Sequence, residues 1–273
     1  MMEKIKDMIT IVRGGGDIAS GTIQKLYRSG FKVLILDIDK PSAIRRKVAF
    51  CEAVYDKISK VEDIVCKRCS SITEIEQCWN KNEVPLVVDP DGEYIDLLKP
   101  DIVVDAILAK KNIGTKLNMA PIVIGLGPGF DAGVNCHVAI ETMRGHNLGR
   151  LIFNGPTMSN TGVPGIIKGV GKERVIYSPV AGIITNIKDI GDIVEKDEII
   201  AMIDQIPIKA NISGVLRGII RNGYEVPKKF KIADIDPRKE EQQNCYTISD
   251  KARAIGGATL EAILYLINKL SKE

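Results

Sequence analysis

Short apolar runs recur along the first half of the chain, each bounded by residues that favour turns. Met8–Val12, Lys32–Leu36, Glu62–Cys66, Val84–Val88, Asp101–Asp105, Pro121–Gly125 and Arg150–Phe153 read as strands, most of them rich in Val and Ile. Between them apolar positions return every three or four residues at Ala19–Arg28, Ile72–Asn80 and Ala132–Met143, which predicts helices. Ser71 precedes the second of these and Glu74 follows three residues later, the pattern of a capping box. Apolar strands alternating with helices predict a parallel sheet covered on both faces. Residues 1–153 are therefore expected to form a doubly wound, Rossmann-like α/β domain.

The pattern changes near Asn154. "NGPTMSNTGVPG" is rich in Gly, Pro, Ser and Asn, and residues 154–176 read as a connector. From Tyr177 to Pro237 short strands alternate with glycine-marked turns, without a helical period. This segment repeats at an offset of 32 residues: Gly182 matches Gly214, Ile187 Ile219, Gly191 Gly223 and Val194 Val226. Ala201, Ile203 and Asp204 match Ala233, Ile235 and Asp236 in the same register. Glycines kept at equal offsets mark turns that both halves need. The unit resembles the barrel-sandwich hybrid of biotinyl and lipoyl domains. Such a carrier needs a lysine at the tip of the hairpin joining its halves. The junction Asp204-Gln205-Ile206-Pro207-Ile208 has none, and Lys209 aligns with Tyr177 at a strand-like position. Neither biotin nor lipoate is expected. Residues 238–273 end in an amphipathic helix capped by Ser249 or Asp250 and expected to dock on one of the domains. Its Gly256-Gly257 pair costs helix stability unless another backbone packs closely there.

Composition narrows the class. In 273 residues, Lys plus Arg number 38 and Asp plus Glu 35, a net +3 with the signs interspersed. That argues against a nucleic-acid protein, whose cations cluster. No run of 18 apolar residues occurs, so no membrane span is expected and the expected location is cytoplasmic. Six cysteines in a chain this long form no disulfide framework, and reduced thiols are the default.

Four constellations bear on chemistry. Gly14-x-Gly16-x-x-Ala19, with Gly15 between, follows a strand, opens a helix and fits a dinucleotide fingerprint. Its backbone can approach a pyrophosphate at the helix N-terminus. Asp37 ends the second strand, 21 residues after Gly16, where a carboxylate meets a ribose hydroxyl. Asp17 opposes this by bringing negative charge to the loop, and a turn that needs glycine for packing is the competing reading. Gly125, Gly127 and Gly129 form a second loop of the same kind, with the same two readings. The segment after it carries Cys136, His137, Glu141, Arg144 and His146. On a helix His137 and Glu141 would share a face and orient a polar ligand or move a proton. No zinc spacing is present and no metal is expected. Finally, Cys66, Cys69 and Cys78 in "CKRCSSITEIEQC" offer a C-x-x-C and a third thiol, read as incidental cytosolic cysteines.

"RGGGDIASG", "DAILAKKN", "NMAPIVIGLGPGFDAGVNCHVAIETMRGHNLGR", "NTGVPG" and "TISDKARAIGG" together resemble the selenium-dependent molybdenum hydroxylase maturation family of the YqeB type. A looser kinship with xanthine dehydrogenase accessory factors of the XdhC type accompanies it. The resemblance implies an accessory protein that works with molybdenum hydroxylase subunits. It also implies a phosphate-bearing ligand, molybdopterin or its dinucleotide, and transfers no catalytic residue. On that reading both glycine loops hold phosphates, Asp37 a hydroxyl, and the Cys136–His146 segment the far end. Two alternatives stand beside it. One is an NAD-dependent oxidoreductase, since a carboxylate at Asp37 suits NAD better than NADP, although no Tyr-x-x-x-Lys pair is present. The other is a protein-docking adaptor that uses residues 177–237.

Overall fold

The computed structural model describes residues 2–160, 162 and 168–271, and most of the "NTGVPG" segment lies outside the described residues. The chain divides into two compact units. One comprises Met1–Pro41, Ala49–Asn160 and Ile248–Glu273, and the other Ser42–Val48 and Thr161–Thr247.

The first unit runs α1 (Met2–Asp7), β1 (Ile9–Arg13), α2 (Asp17–Arg28), β2 (Lys32–Asp37), α3 (Ala53–Asp56), β3 (Ile58–Val61), β4 (Ile64–Arg68), α4 (Ile72–Asn80), β5 (Val84–Val88), α5 (Glu93–Leu98), β6 (Ile102–Asp105), β7 (Ile122–Leu126), β8 (Asp131–Ala132), β9 (Val138–Ile140), β10 (Leu151–Ile152) and β11 (Gly155–Pro156). Nine of these strands form one sheet in the order β10-β9-β7-β6-β1-β2-β5-β4-β3. Ile11, Val12, Leu34, Ile35, Leu86, Val103, Val104, Val123 and Ile124 are fully buried, so the central strands are apolar on both faces. Ser71 caps α4 by accepting from the Glu74 N–H at 3.2 Å, and the Glu74 carboxylate accepts from the Ser70 N–H at 2.7 Å.

The chain returns to this unit as α6 (Asp250–Leu270), capped by Ser249, whose hydroxyl accepts from the Ala252 N–H at 3.2 Å. α6 crosses α2 at small residues. A Cβ at Gly21 would lie 2.2 Å from the Ala252 carbonyl oxygen, and one at Gly256 would lie 2.4 Å from the Gly21 oxygen. Backbone contact at Gly256 thus supplies the compensation that its helix position requires. A Cβ at Gly257 would meet nothing within 4 Å.

The second unit contains β12 (Val175–Tyr177), β13 (Gly182–Asn186), β14 (Ile193–Val194), β15 (Ile199–Ile203), β16 (Ile206–Lys209), β17 (Gly214–Ile219), β18 (Glu225–Val226) and β19 (Lys231–Asp236). The 32-residue repeat maps β12–β15 onto β16–β19 strand for strand. The strands pair as β12-β19-β17-β14 and β16-β15-β13-β18, so each sheet takes two strands from each half. Gly182 and Gly214 open equivalent strands, and a Cβ on either would lie 2.2 Å from an oxygen of Asp204 or Asp236, themselves repeat partners. The core gathers Ile184, Ile200 and Ile203 with Leu216, Ile232 and Ile235.

The expected doubly wound, Rossmann-like parallel sheet with a barrel-sandwich hybrid is not what forms. The large sheet is mixed: β3 pairs antiparallel with β4, and β10 antiparallel with β9. Only Glu62 and Asp63 join β3 to β4, too short a link for a parallel crossover. Glu62 adopts φ 54° in that turn, so the strand expected from residue 62 starts at Ile64 instead. The second unit is two separate four-stranded antiparallel sheets. The helix expected over Ala132–Met143 is also absent. Ala132, Cys136, Ala139, Ile140 and Met143 fit a helical period, yet Gly133 takes φ 89° and the Asn135 side chain accepts from the Asp131 N–H at 3.0 Å, closing a turn. Val138, Ala139 and Ile140 then extend alongside β7, all buried. Among the described residues, no helix is long and apolar enough to cross a membrane.

Candidate functional site

The C-terminal ends of β1, β2, β6 and β7 lie at one end of the sheet, because these strands are mutually parallel. Gly14–Gly16 links β1 to α2 there. Gly14 takes φ 94° and its N–H donates to the Leu36 carbonyl at 2.7 Å. A Cβ there would press on the backbone of Ala106 and Ile107 at 3.0–3.1 Å, so residue 14 must be glycine. Gly15 donates to Asp37 Oδ2 at 2.7 Å and accepts from the Cys51 N–H at 2.9 Å. Gly16 differs from both. It is the N-cap of α2 with φ −69° and ψ −179°, provides no capping side chain, and a Cβ on it would meet nothing within 4 Å. The side-chain direction at the N-cap of α2 therefore faces open space.

Asp37 stands beside this loop as its spacing predicts, but much of its carboxylate serves the loop itself. Oδ2 takes Gly15 and Oδ1 takes the Ile38 N–H at 2.8 Å. Burial pushes its carboxyl up, against these two backbone donors. The neighbouring Cys51 thiol is pushed well up by burial and by the negative charges of Asp37, Glu52 and Asp17. Arg13 turns inward and is buried. Its guanidinium meets Asp105 at 3.3 Å and Thr115 at 2.5 Å, and the Thr115 hydroxyl donates to Asp105 at 2.6 Å. This buried triad ties the ends of β1 and β6 to the 106–116 loop, and burial pushes the Asp105 carboxyl up.

The second glycine loop is filled by protein. A Cβ at Gly125 would lie 2.1 Å from the Phe130 ring, one at Gly127 2.6 Å from the Thr142 hydroxyl, and one at Gly129 2.4 Å from the Asn112 nitrogen. The Gly127 N–H donates to the Ile140 carbonyl at 2.9 Å. Close packing accounts for all three glycines.

The residues after this loop do not share a helix face. Cys136 is buried in the core beside Phe130 and Ala139, and burial pushes its thiol up to about 12. His137 pairs with Val123, whose N–H donates to Nδ1 at 2.9 Å, and burial pulls its pKa down. Glu141 is buried and accepts from the Met143 N–H at 2.7 Å and the Met158 N–H at 2.8 Å, holding two loop segments together. Arg144 forms a two-point ion pair with Asp250 at 2.8 and 3.0 Å, at the start of α6. His146 is exposed.

Lys251 completes the site and has no counterpart in the motif reading. It is half-buried at the start of α6. Among the described residues its side chain makes no ion pair or hydrogen bond. Burial and the nearby Arg144 guanidinium hold it below the usual lysine range, while Asp17, Glu141 and Asp250 pull the other way. That electrostatic neighbourhood sets Lys251 near the start of α2, where Asp17 lies. The α2–α6 crossing joins these positions, and its sequence signal is Gly256, against which the Gly21 backbone packs. Among the described residues, no group of three or more His, Cys, Asp or Glu side chains could hold a metal ion.

The arrangement defines an α/β unit with an uncapped helix start, an open glycine beside it and a lysine close by, suited to an anionic group. Over 261 residues the chain is 47% identical to the uncharacterized protein YqeB of Escherichia coli K12, a match covering 96% of this chain and 48% of that protein. The chain thus spans about half the length of the curated relative it matches. No protein-family model matches it. Among solved structures it is similar to TcdA (CsdL), with 14% identity, coverage of 100% of this chain and 91% of that one, and a TM-score of 0.37. A succinylglutamate desuccinylase from Silicibacter gives 13% identity, 84% coverage of each chain and a TM-score of 0.25.

Proposed function

We propose that this chain is an accessory protein in the maturation of molybdenum hydroxylases and binds a phosphate-bearing, molybdopterin-type cofactor at Gly14–Gly16. The observation that carries the binding site is the open space over Gly16 at a helix start that no side chain caps. Backbone N–H groups and the α2 dipole favour an anion there, and Lys251 supplies the cation. The maturation role rests on the resemblance of the five quoted segments. Arg144 is committed to Asp250 and orders the α6 start. Gly125, Gly127 and Gly129 are taken up by packing within the protein and hold no phosphate. Asp37 fixes Gly15 and keeps lone pairs for a ligand hydroxyl.

Thermal-shift titration of the full chain tests this reading, with pyrophosphate, a molybdopterin-type cofactor, NAD and NADP as probes. A rise in Tm with pyrophosphate and a larger rise with the pterin are expected. No shift with any pterin or nucleotide overturns it. A shift confined to NAD, with hydride transfer from NADH, favours the oxidoreductase instead.

A further inference from the structure

The cysteine spacing draws attention to Cys66 and Cys69, but the structure brings a different pair together. Cys69 and Cys78 place their Sγ atoms 3.4 Å apart, thiol against thiol, with both residues buried. Cys66 is buried too but takes no part in this contact. Both backbones of the close pair are anchored. The Cys69 N–H donates to the Leu86 carbonyl at 2.7 Å, and the Cys78 carbonyl accepts from Lys81 and Glu83 at 3.0 and 2.9 Å. A disulfide needs a separation of about 2.0 Å, so side-chain rotation has about 1.4 Å to close. Cys69 follows β4, which is parallel to β5 and, through β2, to β1. Cys69 therefore lies toward the end of the sheet that carries the glycine loop, while the Cys78 carbonyl meets the Glu83 N–H just ahead of β5, toward the other end.

We infer that Cys69 and Cys78 are a redox modification site that closes to a reversible disulfide when a hydroperoxide reaches it. One sulfur, as thiolate, attacks the peroxide and breaks the O–O bond. It becomes a sulfenic acid as the alcohol or water leaves. The second sulfur attacks the sulfenic sulfur, forms the S–S bond and expels water. The two thiols lose two electrons and the hydroperoxide gains them. Both thiol protons end in the alcohol and water. Burial, first, and the neighbouring Cys78 push the Cys69 thiol up to about 12, so the attacking thiolate is scarce and the reaction is slow at neutral pH. The pair stays reduced under mild conditions and closes only under oxidative load. A lone buried thiol such as Cys136 has no partner to trap the sulfenic acid.

The test uses the reduced full-length chain treated with hydrogen peroxide, then alkylated under denaturing conditions and mapped by mass spectrometry. The expected product is about 2 Da lighter before alkylation, the two hydrogens given up to the bond. It should carry two fewer alkyl groups, contain a linked Cys69–Cys78 peptide, and return to the reduced mass with dithiothreitol. Cys78→Ser should abolish the link and leave Cys69 alkylatable after dithiothreitol. Mapping the unmodified chain needs no variant, so a variant that fails to fold does not remove the test. A Cys66–Cys69 bond, sulfinic acid at either position in place of the link, or full alkylation of the chain under conditions that oxidise a free-thiol control peptide overturns the inference.

Discussion

Replacing Gly16 by aspartate separates the two roles of the α2 start, because fold and ligand should respond with opposite sign. The backbone at Gly16 is extended, which any residue adopts, and a Cβ there meets nothing within 4 Å. The new aspartate would enter without strain and cap the helix. Aspartate exceeds glycine as an N-cap by a few tenths of a kcal/mol, and an anion at a helix N-terminus adds about 0.3–1 kcal/mol. Repulsion from Asp17 removes part of this, leaving a net gain of about 0.5 kcal/mol and a Tm rise of about 1–2 °C at this size. The same carboxylate takes the backbone donors a phosphate would use. Each hydrogen bond to a charged group contributes about 1.5–3 kcal/mol, so pyrophosphate binding should weaken roughly ten- to a hundredfold. Scanning calorimetry reads the first quantity and isothermal titration the second. An unchanged pyrophosphate affinity alongside the raised Tm would place the anion elsewhere. A Tm lowered by several degrees would refute the open space over Gly16.

Lys251→Ala should weaken pyrophosphate binding about tenfold or more in titration while leaving Tm unchanged or slightly higher, since a half-buried cation without an ion-pair partner among the described residues is costly to keep. Gly257→Ala should raise the unfolding free energy by up to about 1 kcal/mol of helix propensity, read as a higher urea midpoint. Gly256→Ala next to it should lower stability by about 1–3 kcal/mol, because its Cβ meets the Gly21 backbone. For His137, burial lowers the folded pKa below the unfolded 6.5. Its contribution is therefore complete above pH 6.5 and is lost as pH falls through the folded value. Urea unfolding across that window should slope for the wild type and flatten for His137→Asn.

The central strands were legible because burial on both faces leaves a continuous apolar run. The 32-residue repeat was legible because glycine and aspartate recur where equivalent strands begin and end. The capping serine of α4 was legible because its partner lies three residues away. What escaped was non-local or decided by a single turn. Ala132–Met143 satisfies a helical period, yet Gly133 and Asn135 turn the chain and β7 offers an edge for Val138–Ile140, so tertiary pairing overrode local pattern. Arg13 is buried by Asp105 and Thr115, about a hundred residues away. Lys251 is set near the start of α2 by a helix crossing whose trace in the sequence is Gly256. The Cys69–Cys78 pair needs the turn after β4 to fold back on α4.

The two glycine loops carry the sharpest lesson about the site. Both read G-x-G after a buried strand, and by motif alone they are equivalent. The atom each glycine lacks tells them apart. At Gly125, Gly127 and Gly129 the missing Cβ would fall on a ring, a hydroxyl and a backbone nitrogen, all within 2.6 Å. Glycine there is what lets the protein pack against itself. At Gly14 and Gly15 the missing Cβ would press on neighbouring backbone at about 3.0 Å, and glycine there shapes the turn. Of the six glycines in the two loops, only Gly16 leaves a space that protein does not occupy. Packing within the first unit does not require a glycine at that position, which leaves room for an anion at the helix start. Gly16→Ala supplies a further check, because a methyl group should leave the fold intact and still crowd an anion at the helix start. Equal pyrophosphate affinity in Gly16→Ala and wild type would return this glycine to the status of an ordinary turn.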